Sequence, residues 1–191
     1  MVELTLKALT EFFTTQGFPC ETLKATKEVP FDFLFVSLGE EEGGGGSVLQ
    51  LRISKQDIDT KEDSVGFPMN EQGYYYMQFT MPMKVEVKES AMWDLSRLIL
   101  LANLSNELPG FEFSELDKVV FYRYSLLVPG PSIDPYLIMT IVGNALTMMM
   151  TFGDNITEVA SGKKTLKEIY EEIKKGKEDQ EKDEKDQIES T

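Results

Sequence analysis

The chain predicts an α+β fold: a small antiparallel sheet carrying helices, followed by a charged C-terminal helix or tail. Three observations lead there. Apolar residues alternate at period two from Phe31 to Phe35, Leu49 to Ser54 and Tyr74 to Val87. Stripes at helical spacing lie before, between and after these stretches, starting near Val2, Glu89 and Asp134. The 191 residues are 41% hydrophobic and 27% charged, enough apolar material for one packed core.

Val2, Leu6, Leu9 and Phe13 share one helical face, and Gly17 can close that helix with a left-handed cap. Phe31, Phe33 and Phe35 then alternate with Asp32 and Leu34. Leu49, Leu51 and Ile53 alternate with Gln50, Arg52 and Ser54 as a half-buried strand. Between Tyr74 and Val87 one face carries Tyr75, Met77, Phe79, Met81, Met83, Val85 and Val87, and the other carries Tyr74, Tyr76, Gln78, Thr80, Pro82, Lys84 and Glu86. Pro82 donates no ladder hydrogen bond and marks an edge or bulge.

A helix is expected from Glu89 to Asn106, with Met92, Leu95, Ile99 and Ala102 on one stripe and Leu98, Leu101 and Leu104 widening it; Pro109-Gly110 ends it. Phe111 and Phe113 open a short strand, residues 114–117 turn, and residues 119–128 return. Asp134-Pro135 fits an N-cap followed by proline at the first helical position. In that last helix Met139, Val142, Leu146 and Met149 form one stripe, and Ile138, Ile141, Ala145, Met148 and Phe152 another. A helix apolar nearly all round needs cover on most sides, from the C-terminal helix or from a second subunit.

The chain divides at about Gly162, into a single domain of residues 1–162 and a tail of residues 163–191. From Lys163 onward eight lysines meet ten acidic residues, so the tail carries −2 of the net −14 and the rest −12. Leu166, Ile169, Tyr170 and Ile173 let the first turns dock as a helix, while KEDQEKDEKDQIEST offers little to bury. Residues 40–47, EEEGGGGS, form a flexible loop or an inserted linker, and residues 56–73 a polar one.

The acidic balance of 19 Lys+Arg against 33 Asp+Glu argues against nucleic-acid binding and against attraction to an anionic membrane. Without histidine there is no Ser-His or Cys-His pair, and the commonest metal ligand is gone. Cys20 alone forms neither an internal disulfide nor a cysteine-rich zinc site, and fits a reducing compartment. The N-terminus lacks a signal-peptide pattern, and Thr140, Gly143, Asn144 and Thr147 interrupt the densest apolar run, 137–150. The expectation is a soluble cytoplasmic protein. The acidic residues Asp57, Asp59, Glu62 and Asp63 lack calcium-loop spacing, and the glycines after Glu42 lack the Lys-Ser/Thr of a phosphate loop. With no catalytic, metal or cofactor motif, an enzyme is not expected.

From Met92 to Gly153 the pattern resembles the YbjN family of bacterial proteins, sometimes labelled sensory transduction regulators. That family shares the order α-β-β-β-α-β-β-α with type III secretion chaperones. The likeness rests on Asn103 or Asn106 in LANLSNELPG, on Phe111, Phe113 and Arg123 in FEFSELDKVVFYRYSLLVPG, and on residues 138–152 in SIDPYLIMTIVGNALTMMMTFGD. The N-terminal third matches by order of elements. The resemblance implies a small protein that dimerises and holds extended client segments against apolar patches, using neither nucleotide nor metal.

Within that frame Tyr74, Tyr76, Met81 and Met83 are the expected surface for a protein client, and Trp93 and Ile138 the expected homodimer contact. Exposed tyrosines give contact area at small entropy cost, and methionines adapt to varied partners. The same tyrosines can instead lie under helices or a second subunit, and the methionines can be core filler. Arg123, between Tyr122 and Tyr124, needs a carboxylate, with Asp32 and Glu112 as candidates, and its role is expected to be structural. Besides a chaperone-like binding module, the sequence admits a ligand-sensing regulator with an apolar cavity, or a structural subunit.

Overall fold

The computed structural model describes residues 1–39, 46–56, 73–106 and 110–176. It is an α+β structure: a six-stranded antiparallel sheet, a separate two-stranded one, and four helices. The elements run β1 (Val2–Glu3), α1 (Leu6–Thr15), β2 (Cys20–Leu23), β3 (Phe33–Ser37), β4 (Val48–Gln56), β5 (Tyr74–Pro82), α2 (Met92–Leu104), β6 (Phe111–Ser114), β7 (Val119–Pro129), β8 (Ser132–Ile133), α3 (Pro135–Ala160) and α4 (166–176). The large sheet has the order β2-β3-β4-β5-β7-β6, and β1 pairs with β8.

Four strands of the large sheet, not three, precede α2, because Cys20–Leu23 pairs with β3. Its sequence CETL has no apolar alternation, and three of its four residues are exposed. Val2 lies in β1, opposite Ile133, rather than on the first helix. Helix α1 starts instead at Thr5, whose hydroxyl accepts from the Ala8 N–H, and it buries Leu9 and Phe13. Gly17 closes it at φ +87°, a conformation that glycine adopts without strain.

The central strand follows its pattern through Pro82, with Met77, Phe79 and Met81 in the core, and stops there. On β3 the inward residues are Leu34 and Val36, while Phe33 and Phe35 take the opposite face. All four helices send their buried residues into one core with the inner sheet face: Leu9 and Phe13, then Leu95 and Ile99, then Ile138 and Ile156, then Leu166 and Ile169.

Two polar devices fix the C-terminal half. The Asn103 side chain on α2 accepts from the Phe111 N–H and donates to the Phe111 carbonyl, both at 2.8 Å. A side chain at Gly110 would collide with the Asn103 amide, so this close approach needs glycine. At the other end Thr165 and Glu168 form a capping box for α4: Glu168 Oε2 accepts from the Thr165 N–H and hydroxyl, and the Glu168 N–H donates to Thr165. The Leu166 N–H donates to Asp94 on α2 at 3.0 Å. Leu166 and Ile169 thus dock as their spacing predicts. Residues 40–45, 57–72, 107–109 and 177–191, which include most of the two loops and of the tail end singled out in the sequence, lie outside the described residues.

Helix α3 begins as expected, with Asp134 accepting from the Tyr136 N–H and Pro135 in the first turn, and runs 26 residues. Within it an 18-residue window has a mean hydropathy of 1.4, so the helix is long and apolar enough to cross a membrane by length and composition alone. The polar interruptions between 137 and 150 do not bring that window below the hydropathy of a membrane-crossing helix. In the fold one stripe of α3, from Ile138 to Ala160, is buried, while Tyr136 and Met150 stand in solvent.

Candidate functional site

Period-two alternation divides the large sheet into two chemically different faces. The inner face is aliphatic and aromatic and belongs to the core. The outer face carries Phe33 and Phe35 on β3, Gln50, Arg52 and Ser54 on β4, Tyr74, Tyr76, Gln78 and Thr80 on β5, Phe121, Arg123, Ser125 and Leu127 on β7, and Glu112 on β6. Phe31, just before β3, joins them through Arg52. None of these side chains belongs to the core or packs directly against it. Phe31 and Leu127 are 41% and 51% exposed, and Phe33, Phe35, Tyr76 and Phe121 are half-buried. Solvent faces of antiparallel sheets are ordinarily polar, so these six apolar side chains make this face unusual.

Two arginines organise it differently. Arg123 grips Glu112 with two contacts, Nε to Oε1 at 2.8 Å and Nη2 to Oε2 at 2.6 Å, the forked geometry that guanidinium and carboxylate share. Glu112 is one of the two acids that the sequence suggests for it. The other, Asp32, accepts instead from Lys24 Nζ at 2.8 Å and the Ala25 N–H at 2.7 Å. These bonds stabilise the ionised form and hold the Asp32 carboxyl below its ordinary range.

Arg52 lies over the Phe31 ring at 4.4 Å and near the Tyr76 ring at 5.9 Å, and no carboxylate among the described residues pairs with it. Its Nε is shut off from solvent without an acceptor, and so is Ser125 Oγ. Tyr76, Ser125, Arg123 and Glu112 line a shallow cleft of about 250 Å³ beside it.

A second concavity, of about 690 Å³, lies between α3 and the ends of β3 to β5. Leu38, Val48, Met83, Leu146, Met149 and Met150 supply its apolar lining; Lys84, Asp154 and Thr157 add polar groups.

The four residues expected to form one client surface therefore separate. Tyr74 and Tyr76 lie on the outer sheet face, while Met83 lines the groove against α3. Met81 is 1% exposed and offers no surface, since it shares the inner phase with Met77 and Phe79. The expected dimer contact also separates. Trp93 is 75% exposed, in line with Leu100 and Leu104 on α2, whereas Ile138 is fully buried on the stripe of α3 that faces the core. Sequence reasoning missed Phe31, Phe33, Phe35, Arg52 and Ser125. The available signal was the alternation in FDFLFV, which permits either phase to face the core. The described residues hold no cluster of three His, Cys, Asp or Glu side chains suited to a metal. Cys20 is half-buried, and burial pushes its thiol up, away from a reactive thiolate.

The chain matches no protein-family model, and no curated protein matches its sequence.

Proposed function

We propose that this chain is a non-enzymatic, chaperone-like binding module that holds an extended segment of a partner protein on the outer face of its sheet. The observation that carries the reading is the set of six half-exposed apolar side chains on that face, against a core built wholly on the other side. Aromatic side chains on a rigid sheet bury large area on contact and lose little entropy. The YbjN likeness and the secretion-chaperone plan belong to this reading, with the extra strand β2 as a departure. So does a reducing, cytoplasmic setting for Cys20.

The test is binding of an array of extended peptides by the full chain, its Phe35→Ser variant and its Tyr76→Ser variant. Apolar, alternating peptides should bind the unaltered chain and weaken several-fold on each variant while the melting temperature holds. Failure of every peptide to bind overturns the reading. Homodimer formation through Trp93, Leu100 and Leu104 completes it. Light scattering should give twice the chain mass at tens of micromolar, and Trp93→Ser should halve it; a monomer before substitution removes this part.

A ligand-sensing regulator is the second reading, favoured by the methionine groove, whose volume falls in the range of small-molecule sites. A metabolite library should then raise the melting temperature, and Met149→Glu should abolish the rise. No shift with any metabolite removes it.

A further inference from the structure

Arg52 is the anomaly of the outer face. With 33 acidic residues against 19 basic ones, a half-buried arginine with no carboxylate partner among the described residues stands out. Of three acids associated with this face, Asp32 is engaged by Lys24 and Glu112 by Arg123, while Glu21, opposite Phe35 on β2, is exposed and pairs with no arginine among the described residues. The guanidinium lies over the Phe31 ring with Tyr76 nearby, and its Nε is shielded, while the terminal nitrogens are not shut off in that way. In the sheet register Arg52 stands opposite Gln78, and Gln78 opposite Ser125, so one row across three strands presents a cation, an amide and a hydroxyl. Two members of that row have a shielded polar atom without a partner.

We infer that Arg52 is a carboxylate anchor: the segment lying on this face places one Asp or Glu side chain against the Arg52 guanidinium. This rests on the sheet-face reading above and names the chemistry of its partner. The occupant is an extended peptide rather than a small anion, because the adjoining cleft of about 250 Å³ is shallow while the apolar side chains spread over three strands. It is not a polyanion. The net charge of −14 repels a nucleic acid or a run of acids, whereas a single carboxylate in contact responds to Arg52 before the field of the whole chain, which salt screens over about 8–10 Å. Planarity matters too, since a guanidinium lying over the Phe31 ring can offer a carboxylate two parallel donors, and a lysine would not.

The experiment is an immobilised array of extended apolar peptides, each made with Glu, Gln or Lys at its centre, probed with the full chain, Arg52→Gln and Arg52→Lys. The unaltered chain should retain the Glu peptides about tenfold better than their Gln counterparts, the scale of one charge-assisted hydrogen bond, and the Lys peptides least. Arg52→Gln should bring Glu and Gln peptides level while leaving Gln-peptide binding in place, and Arg52→Lys should restore only part of the preference. Equal retention of Glu and Gln peptides by the unaltered chain overturns the anchor alone, and needs no variant to fold. A preference that survives Arg52→Gln overturns it as well. Failure of all peptides to bind overturns the sheet-face reading together with the anchor.

Discussion

The two faces of the same sheet obey different rules. On the inner face Leu34, Leu51, Met77, Phe79 and Tyr122 are essentially removed from water and share one core with all four helices. On the outer face Phe33, Phe35, Tyr76 and Phe121, of comparable size, stop half-way. Strand propensity and backbone pairing are common to both, so the difference lies in what covers each side. Apolar side chains alone do not define a core; a second layer does.

The sharpest way to break the comparison is truncation of one phenylalanine on each face of the sheet. Phe79→Ala should cost about 3–5 kcal/mol in urea unfolding, and Phe35→Ala less than about 1 kcal/mol, because only the first leaves a cavity. Equal costs would mean that the outer face is packed in solution. A smaller loss, about 1–3 kcal/mol, is expected for Gly110→Ala, whose new methyl group must push the Asn103 amide off its two bonds to Phe111. Asn103→Ala should bring a loss of similar size, and the double variant less than the sum of the two.

Smaller still is Glu112→Gln on the outer face. Both partners of the Arg123 pair are 40% exposed, so about 0.2–1 kcal/mol is expected, falling with added salt. The smallest effect is a pH dependence. Asp32 has its folded pKa lowered below 3.8, first by the Lys24 bond and then by the Ala25 N–H. Its contribution is therefore present above about pH 4 and fades as pH falls through the depressed folded value. Asp32→Asn should flatten the acid limb of the melting-temperature profile and leave the neutral limb parallel to that of the unaltered chain. An unchanged acid limb would show that the Lys24 pair does not form in solution.

How much of this is legible before folding depends on whether both phases of an element compete. The β5 pattern was plain because Met77, Phe79 and Met81 oppose Gln78 and Thr80, so only one phase can face a core. In β3 phenylalanines oppose leucine and valine. Both phases are apolar, and alternation reports the period without the direction. The same ambiguity misplaced Ile138, since both stripes of α3 are apolar and only packing decides which meets the sheet. Strand β2 was invisible because its pairing with β3 is carried by backbone groups, with little apolar content of its own. Arg52 looked like any polar residue on a half-buried strand. That no carboxylate among the described residues pairs with it depends on where Asp32 and Glu112 find their partners, which is a property of the assembled sheet.

The docking of α4 also bears on how the chain is made. Leu166 and Ile169 complete a core that begins at Leu4, and β1 waits for β8 across more than a hundred residues. A chain still being synthesised can assemble the β2–β5 meander as it emerges, but β7, which supplies the other neighbour of β5, arrives after α2 and β6. Until Leu166 has left the ribosome, the start of α2 lacks its cover, and Asp94 lacks the N–H that it accepts from. The nascent protein therefore passes through a stage in which the inner side of its sheet is covered only in part, by the helices that have already emerged, and α4 completes that cover last.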